Sequence, residues 1–407
     1  MRKLLEPTPP VALSPEVLSV LQLCVVNEPL FPNLKTLLLW DVGVESIPFI
    51  PLFLSPRTTI ISIGFTESDF PKALVASVIT TLPTRCPNLQ EITLSSLPSD
   101  QMVDAAVSEV LLASNRNTLR RFRVDSSLTR EARDMVYNLP DLRELSIVIE
   151  RDTSLPSVAL PNLVDLVIKY DHGSDWVQGF RGATFGKLAS VIVLTDSNSI
   201  GDFLEAFESV ALSTSISTTL STFKFYTSQP WRPNCRSLLP FSQLKELTVE
   251  SPCEGGCSST IDDDTIINIA RAMPKLVVLR LGGDPCQTPT GVTIKGLAAL
   301  AYYCLHLTIL RVHFQVHSLD PLPSSIPSSA IIPREDCALT DLEVGEIPVT
   351  EVSTLMVALT LLRIFPHLAS IEYIDEGWMD VADAIVVSNK LANSWSKKPF
   401  SFHLKEN

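Results

Sequence analysis

The sequence is poor in aromatic residues, glycine and positive charge. Aromatics make up 7% of the 407 residues and only 15 are glycine, which excludes collagen-like and glycine-rich low-complexity chains. Lys and Arg number 32 against 45 Asp and Glu, leaving a net charge of −13. Such a chain repels a phosphate backbone and an anionic lipid surface. The densest basic group, Arg120, Arg121 and Arg123, is too small to reverse that. Neither nucleic acid nor a membrane is therefore an expected partner. The eight cysteines (Cys24, Cys86, Cys235, Cys253, Cys257, Cys286, Cys304 and Cys337) are few for this length and mostly scattered. That excludes a secreted disulfide framework and points to reduced thiols in the cytoplasm or nucleus. Long apolar runs are missing too. The strongest, "TLMVALTLLRIF" at Thr354–Phe365, is shorter than a bilayer requires and contains Arg363, so an amphipathic core helix is expected there. The start, "MRKLLEPTPP", is broken by prolines and Glu6 and is not read as a signal peptide. GxSxG, HExxH, P-loop and GxGxxG patterns are absent, and no Ser/His/Asp or Cys/His set assembles with a chemical reason. Neither an enzyme nor a cofactor is expected.

What is present is a repeated phrase. "FPNLKTLLL", "CPNLQEITL", "LPDLRELSI", "LPNLVDLVI", "FSQLKELTV", "MPKLVVLRL", "CLHLTILRV" and "FPHLASIEY" each give turn residues followed by apolar-x-x-apolar-x-apolar. The first apolar position of each copy falls at Leu34, Ile60, Leu89, Leu119, Leu142, Leu163, Leu188, Leu220, Leu244, Leu276, Leu307, Leu339 and Leu368. These are thirteen copies in order, with steps of 21 to 32 residues. The final alternation has strand periodicity, and the gaps hold amphipathic, helix-length segments. "SDQMVDAAVSEVLLA", "DDDTIINIARAM", "TIKGLAALAYYC" and "VTEVSTLMVALTLLRIF" are examples. One strand–helix unit cannot bury its own apolar side, so neighbours must stack.

Over about residues 31–375 the pattern resembles the leucine-rich repeat family. The resemblance implies an α/β leucine-rich-repeat solenoid, a horseshoe of about 13 irregular repeats with a parallel concave sheet and outer helices. Residues 1–30 are read as an N-terminal capping segment and 376–407 as a C-terminal cap. The Pro/Ser-rich stretch 318–336 is read as a loop insert with a possible partner role. The Asn or Cys common three residues past the third apolar position is mostly replaced, by Val42, Leu97, Ser127 and Asp196.

"ESPCEGGCSSTIDDDT" at Glu250–Thr265 falls between the ninth strand and its helix. Asp262, Asp263 and Asp264 suit a helix N-terminus, where carboxylates meet free N–H groups. Three adjacent aspartates do not supply the alternating oxygens of a calcium site. Cys253 and Cys257, with Cys286 in the next loop, leave a zinc ion without a visible fourth ligand. Free thiols are the simpler expectation, with a disulfide as the alternative. His306, His313 and His317 fall on a strand and its exit, too far apart to share a metal. Cys86 and Cys304 are expected as small buried side chains.

In each copy, the residues two, four and six positions after the first apolar one should face away from the core. These include Thr36, Leu38, Trp40 and Asp125. The candidate partner-binding set on the concave face is Arg121, Arg123, Val148, Asp165, Val167, Lys169, Ile192, Leu194, Lys224, Tyr226, Glu246, Glu250, Arg280, Arg311 and His313. Asp341, Glu343 and Glu372 continue it. Val148, Val167, Ile192 and Leu194 are expected to form an apolar strip of the kind that marks a contact surface. Blocks of charge beside it suit orientation of a charged protein partner.

The phrases "FPNLKTLLLW", "FIPLFLSPRTTIISIGF", "CSSTIDDDTIINIARAMPKLVVLRLGG", "TPTGVTIKGLAALAYYCLHLTILRVHFQVHSL" and "FPHLASIEY" resemble fungal, basidiomycete-type F-box proteins with degenerate leucine-rich repeats. That resemblance implies repeats that hold a protein substrate and an N-terminal F-box that docks on the Skp-type adaptor of a cullin ubiquitin ligase. The first repeat starts at Leu34, too early for a complete F-box. "LSPEVLSVLQLC" at Leu13–Cys24 is instead read as a capping helix, with Ser14 as N-cap and Pro15 in its first turn. Skp-type adaptor and cullin are expected as partners only if an F-box is present. The function implied is a non-enzymatic protein–protein interaction solenoid, the substrate-recognition part of such an adaptor. The alternative is a stand-alone leucine-rich-repeat scaffold with no ubiquitin-ligase role.

Overall fold

In a computed structural model of the chain, the described residues are 15–24, 29–65, 70–113, 118–149, 159–170, 184–195, 204, 207–208, 216–228, 235–251, 261–282, 291–314, 337–344, 354–373 and 377–396. The chain divides into two compact units, Met1–Ile149 with Val158–Leu163, and Glu150–Ser157 with Val164–Asn407. The first unit holds five parallel strands in chain order: β1 (Thr36–Val42), β2 (Ile60–Phe65), β3 (Glu91–Ser95), β4 (Arg121–Ser127) and β5 (Glu144–Ile149). The second holds eight, again parallel and in chain order. They are β6 (Asp165–Tyr170), β7 (Ser190–Thr195), β8 (Thr222–Thr227), β9 (Glu246–Glu250), β10 (Val278–Leu281), β11 (Ile309–Val312), β12 (Asp341–Glu343) and β13 (Ser370–Glu372). The expected parallel α/β architecture, with thirteen repeating strands, is what the chain adopts.

Alternation explains each strand. Phe122 and Val124 are 0% and 1% exposed, Val191 and Val193 both 0%, and Phe223 and Phe225 both 0%, while their neighbours on the other face meet solvent. The leucine two residues before the strand is buried as well, from Leu89 to Leu368. Between these two points, one carbonyl of each strand's lead-in accepts two consecutive N–H groups of the next. Lys35 O accepts from Thr59 and Ile60 at 2.8 and 3.1 Å, Ala189 O from Ser221 and Thr222 at 2.8 and 3.0 Å, and Lys245 O from Val277 and Val278 at 2.7 and 3.0 Å. Four such staples in the first unit and seven in the second join every pair of neighbouring strands within either unit. Hydroxyls of Thr59, Ser221, Thr308 and Thr340 add bonds to the same carbonyls.

The second copy starts two residues earlier than the leucine spacing predicts. Strand register pairs Ile60 with Thr36, the residue two past Leu34, so Thr58 and not Ile60 takes the first apolar position. Thr58 is 0% exposed and donates its hydroxyl to Leu34 O at 3.0 Å. A threonine buries its methyl there and satisfies its oxygen, so an apolar pattern passes over it.

The helices follow the amphipathic segments: α1 (Pro15–Cys24), α2 (Lys72–Arg85), α3 (Gln101–Ala113), α4 (Arg130–Val136), α5 (Asp263–Ala272), α6 (Ile294–Tyr303), α7 (Thr354–Ile364) and α8 (Gly377–Ser396). In sequence order, α2, α3 and α4 pack together in the first unit, and α5 to α8 in the second. Pro48 and Pro51 hold Val44–Phe53 to a 3₁₀ helix, which α1 contacts through the first unit's core. Leu18 of α1 is buried, whereas Ser14 lies outside the described residues. At the other end, α8 buries Trp378 edge-on against Phe314, with ring centroids 5.4 Å apart. Residues 318–336 also lie outside the described residues.

The three aspartates before α5 have separate tasks. Asp262 is the N-cap, accepting from Thr265 N–H at 2.8 Å and its hydroxyl at 2.7 Å. These bonds, the hydroxyl's first, hold its carboxyl below the usual range. Asp263 reaches the next repeat instead. Its Oδ1 accepts from the N–H groups of Thr293 and Gly296 at 2.8 and 2.9 Å, and its Oδ2 from the Thr293 hydroxyl at 2.7 Å. It thereby satisfies the start of α6 from outside that helix. Asp264 is exposed, 3.8 Å from Lys295. Asp104 of α3 does similar work in the first unit, accepting from Ser127 N–H at 3.2 Å and from the Ser126 hydroxyl.

Gly296 is required by this latch, because a Cβ there would stand 2.7 Å from Asp263 Oδ1. Replacing a helix-interior glycine with alanine ordinarily stabilises by about 1 kcal/mol. Here Gly296→Ala is expected to lower the melting temperature. Asp263→Ala is expected to cost about 1–3 kcal/mol through the orphaned donors. The double variant should be less destabilised than the sum of the two, as measured by urea unfolding. Strict additivity would show that the two sites are uncoupled.

Candidate functional site

The strand register of the second unit places the outward-facing residues in rows. One row runs Val167, Ile192, Lys224, Thr248, Arg280, Arg311, Glu343, Glu372 across β6 to β13. A second runs Lys169, Leu194, Tyr226, Glu250 across β6 to β9. A third starts with Asp165 and includes Glu246. Val167, Ile192, Leu194 and Tyr226 are thus neighbours on β6, β7 and β8, each half-buried. Burial raises the Tyr226 phenol above its ordinary range.

Beyond this apolar group the rows are charged and internally matched. Lys224 Nζ lies 2.7 Å from Glu246. Arg280 and Arg311 stand directly opposite one another, an arrangement that repels unless anions intervene. Glu343 intervenes. Its Oε1 accepts from Arg280 Nη2 at 2.7 Å and Nε at 3.2 Å, reaching across β11. Its Oε2 is 3.9 Å from Arg311, which is also 3.8 Å from Glu250. The bond to Glu343 raises the Arg280 pKa further. At these exposures each pair is worth at most about 1 kcal/mol. Their effect is to fix where charge stands on the face.

The first unit repeats the device. Arg121 and Arg123 lie on the same face of β4 and both clasp Glu144, at 2.6 and 2.5 Å, while Arg121 also meets Glu91 at 3.0 Å. Val148 belongs to this unit, half-buried on β5 beyond a register shift between Arg123 and Ser127. The second-unit members of the expected strip, Val167, Ile192 and Leu194, are brought together on neighbouring strands.

His313 departs from expectation. It was placed on the outward face by alternation, yet it is 3% exposed. β11 ends at Val312, so alternation no longer holds at the next residue. The imidazole instead lies against Gly282, whose φ of +109° and missing Cβ make room. A Cβ on Gly282 would be 3.1 Å from His313 Cδ2. His313 is removed from the candidate surface.

Glu91 and Glu144 were left out of the candidate set, yet with Glu343 they position its arginines. The same rule of two residues past the first apolar position finds both, counting from Leu89 and Leu142. Cys253, Cys257, Cys286 and His317 lie outside the described residues. Among the described residues no group of three or more His, Cys, Asp and Glu side chains is arranged to hold a metal, and no helix is long and apolar enough to cross a membrane.

Cys86, Cys304 and Cys337 are buried, free thiols. Burial pushes Cys86 up to about 11 and Cys304 up to about 12. Cys304 Sγ sits 3.6 Å from the carbonyls of Ala270 and Met273. These thiols stay protonated at neutral pH and are not nucleophiles. An aromatic disulfide reagent is expected to label them only on denaturation, as read by mass mapping. Because the unfolded thiols ionise first, near 9.0, their contribution to stability should fall as pH rises from there through about 11. Rapid labelling of Cys304 in the native protein would contradict this.

No protein-family model matches the chain, and no curated protein was found to be similar to it.

Proposed function

We propose that the chain is a non-enzymatic protein-binding repeat protein of the cytoplasm or nucleus, with repeats of the leucine-rich type. In this reading it is the substrate-recognition part of an F-box-type adaptor of a Skp–cullin–F-box ubiquitin ligase. One observation carries the binding role. The outward face of the second unit sets Val167, Ile192, Leu194 and Tyr226 side by side on a rigid parallel sheet, bordered by ion pairs. An apolar centre with a polar, ordered border is the anatomy of a recognition surface. The ligase part is supported by the F-box-type resemblance and by α1, which leaves Val17, Val20 and Leu23 exposed along one side. A stand-alone scaffold is the second reading. The buried Leu18 supports it, because α1 then serves only to close the first unit.

The test is affinity purification of the chain from its native cells beside a Val167→Asp, Ile192→Asp variant. Recovery of a Skp-type adaptor and cullin with both proteins, together with a further protein captured only by the parent, is the expected result. Loss of the adaptor and cullin alone would leave the scaffold reading. Identical captures by variant and parent would overturn the role of this face. The variant's melting curve separates lost binding from lost fold.

A further inference from the structure

The most exposed aromatic on either sheet face is not in the candidate set. Trp40 of β1 is 63% exposed and Leu38, two residues before it, is 55% exposed. Trp40 is held there by its neighbours. A Cβ on Gly64 of β2 would lie 3.3 Å from Trp40 Cε3 and 3.2 Å from Ser95 Oγ, so glycine lets the benzo edge of the indole settle over β2. Pairing of β1 with β2 shifts register between Leu39 and Val42, where Asp41 takes a left-handed backbone, φ 56°. The shift turns Trp40 and Asp41 outward in succession. Beside Trp40 the floor is low, formed by Ser62, Gly64, Thr93 and Ser95 on β2 and β3. Beyond it stand Arg121 and Arg123 of β4. Three strand spacings separate β1 from β4, about 14 Å, enough for one extended peptide.

The charge of this surface selects the occupant. Arg121 and Arg123 are already occupied by Glu91 and Glu144. Asp125 accepts from Ser96 N–H at 3.3 Å. Asp41, exposed beside Trp40, is a further carboxylate, so three carboxylates (Glu91, Glu144 and Asp41) face two guanidiniums. Lys35, Arg120 and Arg143 precede their strands, at the opposite end from Trp40. An exposed indole beside a surplus of carboxylate suits a cation stacked on the ring. Tryptophan and arginine are also the residue types on which interface energy concentrates. We infer that the Trp40 end of the first unit's outward face is a docking site for an extended segment of a partner protein that carries arginine or lysine. Leu38 takes an apolar side chain of that segment, and Trp40 with Asp41 takes its cation. This deepens the protein-binding reading but uses a patch separate from Val167 and Ile192.

The probe is a fluorescein-labelled decapeptide alternating arginine with leucine, set against its counterpart with glutamate for arginine. Each is titrated by anisotropy at physiological salt into the full chain and into Trp40→Ala, Trp40→Phe, Asp41→Lys and Val167→Asp/Ile192→Asp. Saturable binding of the arginine peptide alone is expected. It should weaken at least tenfold in Trp40→Ala and Asp41→Lys, change less in Trp40→Phe, and be unaffected by the Val167/Ile192 pair. Absence of saturable binding, or equal binding to Trp40→Ala, would overturn the inference. The latter would mean attraction by net charge alone. Loss of binding only in the Val167/Ile192 variant would overturn this site while leaving the protein-binding reading intact. Trp40 is exposed, so its variants should melt with the parent, which separates lost docking from lost fold.

Discussion

One carbonyl oxygen accepting two successive N–H groups, strand after strand, sets the geometry on which everything else rests. The bond closes where the chain enters each strand, directly after a buried leucine or, once, the buried Thr58. It leaves no freedom in register. A slip of one residue would send the buried side chains outward and the surface side chains into the core. With register set, residues at matching positions of successive repeats must stand in rows. The neighbourhood of Val167, Ile192 and Leu194 follows from this constraint, as does that of Arg280, Arg311 and Glu343, whose ion pairs form on positions the register has already set side by side.

Stacking at fixed spacing also makes each repeat part of the next one's structure. Asp263 completes the N-terminus of α6, and Gly296 gives up its side chain to admit it. Gly282 yields space to His313 and Gly64 to Trp40 in the same way. The first of these contacts stabilises the helical side and the last shapes the outward face. The ion pairs on that face add little to stability, being partly solvated. They hold guanidiniums and carboxylates at defined points, which serves orientation of a charged partner more than affinity.

Much of this was legible in the sequence because the repeat announces itself. Twelve of thirteen strand positions follow from the leucine spacing, and the outward positions follow from strand alternation. Thr58 was passed over because its role depends on a hydroxyl bond to Leu34 O, which an apolar pattern does not encode. His313 was misplaced because β11 ends one residue sooner than the alternation implied, and the space it occupies belongs to Gly282 of the preceding repeat. Asp263 was expected to help its own helix. That it serves the following one depends on the distance between α5 and α6, which only the fold determines. The prominence of Trp40 depends likewise on Gly64 and on the left-handed Asp41.

Hydrogen exchange at residue resolution tests the central constraint most directly. The paired amides at Ser221 and Thr222, Lys245 and Glu246, and Val277 and Val278 are expected to exchange as slowly as the buried strand amides of Leu247 and Leu279. All of them should be released together with global unfolding. Fast exchange at the second member of each pair, with the strand interiors still protected, would contradict it. The shared carbonyl would then not hold the register, and the rows of the outward face would have no fixed geometry.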